Sequence, residues 1–216
     1  MGINRLFEEG IPVVAVDRNP TKKEISAVLT DGEGAGVRAT EHLLEKGCRS
    51  VGFVRGPQGV STAEKRFAGY KKSLEDSGKK HDPDFVVQGD FTFEGGKEAL
   101  AGLFEKFGIE GIPDGLVAAN DLMAVGVIRQ AEELGINVPR ELGLVGFDDI
   151  LLSRLINPSL TTVAAPTYEM GSIGAELLLK ELEERNEGVN KVRKKTLKTN
   201  LVERESSQFG ARKNER

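Results

Sequence analysis

The sequence has a single cysteine, Cys48, in 216 residues, so it can form no intramolecular disulfide, and stabilisation by an oxidising compartment is not part of the design. A cytoplasmic protein is expected. Histidine is almost as scarce: His42 and His81 stand far apart in the chain, and Cys48 has no plausible partner ligand, so neither a metal site nor a cofactor is expected. A basic surplus is also missing. The 30 Lys and Arg are outnumbered by 34 Asp and Glu, and a net charge of −4 spread along the chain leaves no footprint for gripping nucleic acid directly. The Met1–Gly10 segment carries Arg5, Glu8 and Glu9 among its apolar residues, which excludes a signal-peptide core and a membrane span there. There is no internal repeat.

What the chain does have is 38% hydrophobic residues, enough for one sizeable core or two small lobes. Short apolar runs predict strands at Ile11 to Val16, Ala27 to Leu29, Ser50 to Val54, Phe85 to Val87, Gly115 to Ala118, Leu142 to Gly146, Leu160 to Ala164 and Thr196 to Val202. Between them, apolar residues recur at helical spacing: Phe67, Tyr70 and Leu74; Leu100, Leu103, Phe104 and Phe107; Ala124, Ile128, Ala131 and Leu134; Met170, Ile173, Leu177 and Leu178. Strand and helix alternate, which predicts an α/β fold with parallel sheets covered by helices on both faces. Asn120 or Asp121 can cap the helix that follows a strand, and Gly135 and Pro139 stop it. The segment from Ser206 to Arg216 offers one apolar aromatic, Phe209, and is expected to be disordered.

In an open parallel sheet, ligands bind beyond the carboxyl ends of the strands, where loops and helix N-termini converge. Those ends read Arg55-Gly56-Pro57, Gly89-Asp90-Phe91-Thr92, Asn120-Asp121 and Asp148-Asp149, with Arg66 on the helix after the first of them. An aromatic plate (Phe91), a forked cation (Arg66), an amide (Asn120) and a carboxylate (Asp148) suit a small polyhydroxylated or heterocyclic ligand. Each also has a plainer reading: Asn120 as a helix cap, Phe91 as core, Arg66 as a solvated helix charge, Asp148 and Asp149 as turn residues. Cys48 reads as a small apolar residue, His42 as a surface or packing histidine and Arg193-Lys194-Lys195 as a solvated turn. The stretch Gly34-Ala35-Gly36-Val37-Arg38-Ala39 fits a dinucleotide loop in form, but Val54 to Gly59 lacks the acidic residue that the fingerprint needs. With no activated nucleophile, metal set or convincing phosphate loop, an enzyme is not expected.

The blocks Pro12-Val13-Val14-Ala15-Val16-Asp17-Arg18, Asp31 with Glu41-His42-Leu43-Leu44-Glu45-Lys46-Gly47, Gly52-Phe53-Val54-Arg55-Gly56-Pro57, Arg66-Phe67-Ala68-Gly69-Tyr70, Gly89-Asp90-Phe91-Thr92, Ala118-Ala119-Asn120-Asp121-Leu122-Met123-Ala124, Val145-Gly146-Phe147-Asp148-Asp149 and Pro158-Ser159-Leu160-Thr161-Thr162-Val163 follow one another in an order that resembles the effector-binding module of LacI/GalR transcriptional regulators. The resemblance runs from about Ile11 to Arg204. It implies a periplasmic-binding-protein-like fold of two lobes, with an effector in the cleft between them that controls operator binding allosterically. By the same resemblance, Arg66, Asn120 and Asp148 match polar effector ligands, Phe91 the ring-stacking aromatic, Asp17 a first-lobe contact, and Arg18 and Thr62 positions that vary with effector.

The implied partners are a small-molecule effector, a sugar first and a purine second, a second copy in a homodimer, and operator DNA through a head with no counterpart here; no membrane partner is implied. One departure from the pattern is Gly47-Cys48 where the family usually has Gly-His. The resemblance divides the chain into a partial first lobe (1–29), a second lobe (30–157), a return segment of the first lobe (158–188), a closing strand of the second lobe (189–205) and a tail (206–216). On this division Val13 to Val16 and Leu160 to Ala164 are expected to lack sheet neighbours. A periplasmic sugar-binding protein of an ABC transporter is the alternative with the same architecture.

Overall fold

The structure, a computed structural model, describes residues 3–186 and 191–209. The chain divides into two compact units, Met1–Asp31 with Pro166–Thr199, and Gly32–Ala165 with Asn200–Arg216. The first unit contains α1 (Ile3–Glu8), β1 (Val14–Val16) and β2 (Ser26–Thr30). The second runs through α2 (Gly32–Glu45), β3 (Val51–Arg55), α3 (Ser61–Asp76), β4 (Val86–Gln88), α4 (Phe93–Gly111), β5 (Gly115–Ala118), α5 (Asp121–Leu134), β6 (Gly143–Phe147), α6 (Leu151–Leu155) and β7 (Thr161–Ala164). The chain then returns to the first unit for α7 (Thr167–Asn186) and β8 (Lys194–Leu197), and to the second for β9 (Asn200–Val202).

In the second unit the strands lie in the order β4-β3-β5-β6-β7-β9, all parallel except for β9, which pairs antiparallel with β7. The central strands β5 and β6 are buried along their whole length, as expected of a parallel sheet covered on both faces. The core gathers Phe53, Tyr70, Leu100, Leu103, Leu116, Met123, Leu144 and Phe147, none more than 2% exposed. At ~1.5–3 kcal/mol for each large side chain removed from water, that core can hold the unit together. The first unit is slighter. Its parallel sheet has the order β1-β2-β8, and its small apolar cluster is built on Ala15, Ile25 and Ala27. Among the described residues, no helix is long and apolar enough to cross a membrane.

Local signals act as expected in several places. Asn120 caps α5 by accepting the Met123 N–H at 2.9 Å, and Gly135 ends it in the left-handed conformation, φ 73°. The glycine-rich stretch from Gly34 lies inside α2 and forms no loop at all. Its reason is packing: a Cβ on Gly36 would lie 2.1 Å from the Arg66 carbonyl oxygen of α3.

Three expectations need correction. Leu160 to Ala164 is no isolated piece of the first lobe: β7 lies between β6 and β9 in the six-stranded sheet, so the second unit runs on to Ala165 rather than ending at 157. Buried hydroxyls hold it there. Thr161 accepts the Arg204 N–H at 2.8 Å, and Thr162 donates to Asp121 at 2.6 Å. The single closing strand expected at Thr196 to Val202 is two strands in two sheets, because β8 runs parallel to β2 only as far as Leu197 and the chain then turns to run against β7. The start of the segment expected to be disordered is ordered. Ser206 and Ser207 are fully buried and Phe209 is 7% exposed, since the Ser206 hydroxyl donates to the Leu144 carbonyl and Phe209 joins the main core; residues 210–216 lie outside the described ones.

Candidate effector site

The strand order reverses at β3: the chain goes from β3 to β4 on one side and then places β5 on the other. Loops leaving the carboxyl ends of neighbouring strands diverge at such a switch point and open a crevice. Phe91, Asn120 and Asp148 stand just beyond these ends, and Arg66 reaches them with its side chain from α3.

Arg66 is no solvated helix charge. It is 6% exposed, with Nη1 donating to the Ala119 carbonyl at 2.7 Å and Nη2 donating to Asp148 Oδ1 at 2.7 Å. Its guanidinium lies over the Phe147 ring, 4.7 Å from the centroid. A cation this dry is held by charge-assisted hydrogen bonds, and their fork geometry aims it. Asp148 keeps its side chain 36% exposed, so one buried and one accessible charge form the pair.

Phe91 neither sinks into the core nor stands free. Its ring lies against Gly56, where a Cβ would fall 2.3 Å from the ring edge, so the strand end after β3 must be glycine to admit it. The Phe91 N–H points at Met123 Sδ, 3.3 Å away, and its carbonyl accepts Asn120 Nδ2 at 3.0 Å. Asn120 is thus cap and strut together, and its carboxamide oxygen is committed to Met123. Thr62 lies in the first turn of α3, half-buried, on the same helix as Arg66. Asp17 and Arg18 belong to the first unit, on the loop after β1, where Asp17 accepts from the Thr30 hydroxyl at 3.3 Å and Arg18 is exposed.

One backbone observation links these residues. Among the described residues, the non-glycine positions with positive φ are Asp17 (55°), Phe91 (70°), Asp148 (105°) and Asp149 (52°). Such conformations cost about 1–3 kcal/mol each and persist where surrounding contacts impose them, which is characteristic of ligand sites. Three of the four are residues singled out from sequence.

Other participants carry little sequence signal. Gln88 Nε2 donates to the carbonyls of Gly56 and Gly89 at 2.8 and 2.6 Å, tying the ends of β3 and β4 together. Asp90 accepts the Thr92 N–H and hydroxyl, and those bonds, the hydroxyl first, hold its carboxyl below the usual range. Asp149 is claimed by Arg204 at 2.5 Å and Arg154 at 3.5 Å rather than offered to a ligand. Asp121, next to the cap, is fully buried; desolvation pushes its carboxyl up to about 6, against the pull of hydrogen bonds from Thr162, Ser153 and Ile150 and with a further push from Asp148. Among the described residues, no group of His, Cys, Asp and Glu is placed to hold a metal ion.

Residues 40–207 match the model of the periplasmic binding protein-like domain family. The ribose operon repressor of Halalkalibacterium halodurans is 34% identical over 93% of this chain and 57% of its own length. Catabolite control protein A of Priestia megaterium is 33% identical over 82% of the chain and 53% of its own. The chain therefore spans little more than half the length of these curated relatives. Among solved structures, the transcriptional regulator CelR in complex with cellobiose superposes with a TM-score of 0.85 at 32% identity, over 93% of this chain and 60% of that one. A LacI family regulator from Enterococcus faecium with bound ribose gives 0.81 at 27%, over 94% and 73%. The fold, the motif order and these relatives agree: the chain belongs to the periplasmic binding protein-like domain family, in the group formed by the effector-binding domains of LacI-family transcriptional regulators.

Proposed function

We propose that this chain senses a small polar effector, a sugar first, for a cytoplasmic LacI-type transcriptional regulator, and that effector occupancy alters operator binding by a homodimer. The observation that carries this reading lies in the second unit, where the positive-φ non-glycine residues among the described ones are Phe91, Asp148 and Asp149, and where the buried Arg66 pairs with the accessible Asp148. In it, Arg66 donates to effector hydroxyls, Asp148 accepts from them, Asn120 offers its remaining N–H, and Phe91 covers the C–H face of a sugar ring. Asp17, Arg18 and Thr62 are further candidates for effector contact, on the resemblance alone. The exposed leucines of α6, Leu151 and Leu155, 67% and 69% exposed, suit contact with a second copy. Ribose and cellobiose, bound by structural relatives, are the first candidates. The reading asks for no covalent chemistry. A transporter-linked carrier would share the fold, but relatives named as repressors favour the regulator.

The test is a thermal-shift panel of pentoses, hexoses, disaccharides and purines, followed by calorimetry on Arg66→Ala and Asp148→Ala. An authentic effector at ~100 times its Kd stabilises by ~2.7 kcal/mol. Each variant loses a charged hydrogen bond of about 1.5–3 kcal/mol, so affinity falls more than about tenfold. Unchanged affinity in both variants would remove these residues from the site.

A further inference from the structure

Asp121 opens α5 and is fully buried, so no solute reaches its side chain. The carboxylate nevertheless serves the loop that carries Asp148. Oδ2 accepts the Ile150 N–H at 3.0 Å and the Ser153 hydroxyl at 2.7 Å, and Oδ1 accepts the Thr162 hydroxyl at 2.6 Å. With its hydrogen committed to Asp121, the Thr162 oxygen accepts the Asp149 N–H at 3.3 Å. Asp121 therefore reaches Asp149, Ile150 and Ser153 at once, the last two directly and the first through Thr162. β6 makes room for it: a Cβ on Gly146 would lie 2.3 Å from Asp121 Oδ1. The loop so gripped holds two positive-φ residues, Asp148 and Asp149, and the 105° of Asp148 lies beyond the left-handed region that aspartate readily adopts.

We propose that Asp121 is a positioning residue for the effector site: from beneath, and without touching the ligand, it holds the 148–153 loop in the conformation that presents Asp148. The proposal rests on the reading of Asp148 as an effector ligand. Its chemistry depends on an ionised carboxylate, which only accepts; the Ile150 N–H can only donate, whereas the Ser153 and Thr162 hydroxyls can reverse. The charged group acting on Asp121 is Asp148, itself paired with Arg66, while Asp149 is paired with Arg204. A carboxamide in place of the Asp121 carboxylate keeps one acceptor and turns the other into a donor, so one arm of the grip must be lost or reversed.

The test is amide hydrogen exchange of the 216-residue chain at one pH above 6, in wild type, Asp121→Asn and Thr162→Val. In Asp121→Asn, protection of the Ile150 or the Asp149 amide falls by about tenfold, because one acceptor has become a donor. Thr162→Val deprotects Asp149 and leaves Ile150 as in wild type. Wild-type protection at both amides in Asp121→Asn overturns the proposal. With ribose as the probe, calorimetry above pH 6 shows weaker binding to Asp121→Asn than to wild type, and equal affinity overturns the proposal. If wild type takes no sugar or purine from the panel, the effector reading fails, and the exchange profile alone decides what Asp121 does.

Discussion

Phe91 joins two demands that oppose each other. Its backbone sits at φ 70°, which favours glycine, yet its ring fills the space that Gly56 leaves open. A plain core residue would need no such backbone, which agrees with the proposed role of the ring's flat face in covering a sugar. Phe91→Leu should keep the chain folded, because most of the apolar area remains, but weaken sugar binding by ~0.5–1.5 kcal/mol, or about twofold to tenfold. Phe91→Tyr should bind like wild type. Calorimetry with the effector decides: Leu equal to Phe would assign the ring to packing alone. Phe91 and Arg66 were legible in the sequence because a strand end and the helix after it fix where such residues stand. Asp121 was legible only as a possible cap. A buried carboxylate and a surface cap look alike in sequence, and the partners that distinguish them, Ser153 and Thr162, lie 32 and 41 residues further on.

Helices α2 and α3 meet with their backbones almost touching. A Cβ on Gly69 would lie 2.0 Å from the Glu33 carbonyl oxygen and 2.7 Å from the Val37 nitrogen, so neither helix can yield without moving backbone. Two effects then compete in Gly69→Ala. Helix propensity favours alanine by ~1 kcal/mol, while forced separation in a packed region costs roughly 1–3 kcal/mol or more. The clash should prevail, with a net loss of about 1–2 kcal/mol in denaturant unfolding. A gain would mean that the helices can slide apart freely. Because α3 carries Arg66, the variant should also weaken effector binding. On the α2 side of this contact, Gly36 stood in the sequence within the near-match to a dinucleotide loop, since spacing alone does not distinguish a turn from a close helix contact. The strands β3 to β6 and the helices α3 to α5 between them were readable for a simpler reason: parallel strands buried on both faces are short apolar runs. The break between β8 and β9 was not. Leu197 and Leu201 belong to one continuous stretch of strand-forming residues, and only their partners, β2 and β7, assign them to different sheets.

At the scale of the molecule, the second unit is closed by its own carboxyl-terminal segment. His42 Nε2 and the Ser207 hydroxyl are 2.7 Å apart, and Ser207 meets Thr161 at the same distance, so α2, β7 and the 205–207 turn share one buried polar cluster. Burial lowers the His42 pKa; Lys46 acts in the same sense, and Glu203 and Glu45 oppose it. Below the ordinary value of 6.5 the unfolded chain takes up a proton that the folded chain resists. The stability His42 contributes is thus complete above that pH and is lost on acidification. Asp121, with its carboxyl raised to about 6, works in the opposite sense, so only a comparison with a variant isolates the histidine. In denaturant unfolding, wild type should lose more stability than His42→Gln between pH 7.5 and 5.5, values about one unit on either side of 6.5. Equal losses would place the proton elsewhere. The alternation of the chain between units also dictates an order of events at the ribosome. The Ser26 hydroxyl accepts the N–H of Arg193, 167 residues later, and β2 pairs with β8, so one edge of β2 has no partner until synthesis has passed Lys194. Closing so long a loop is entropically unfavourable, and a second unit that has already condensed in between shortens the part still free to wander. Until then the nascent chain carries an open strand edge, the kind of surface that a holding chaperone covers and a neighbouring nascent chain can capture.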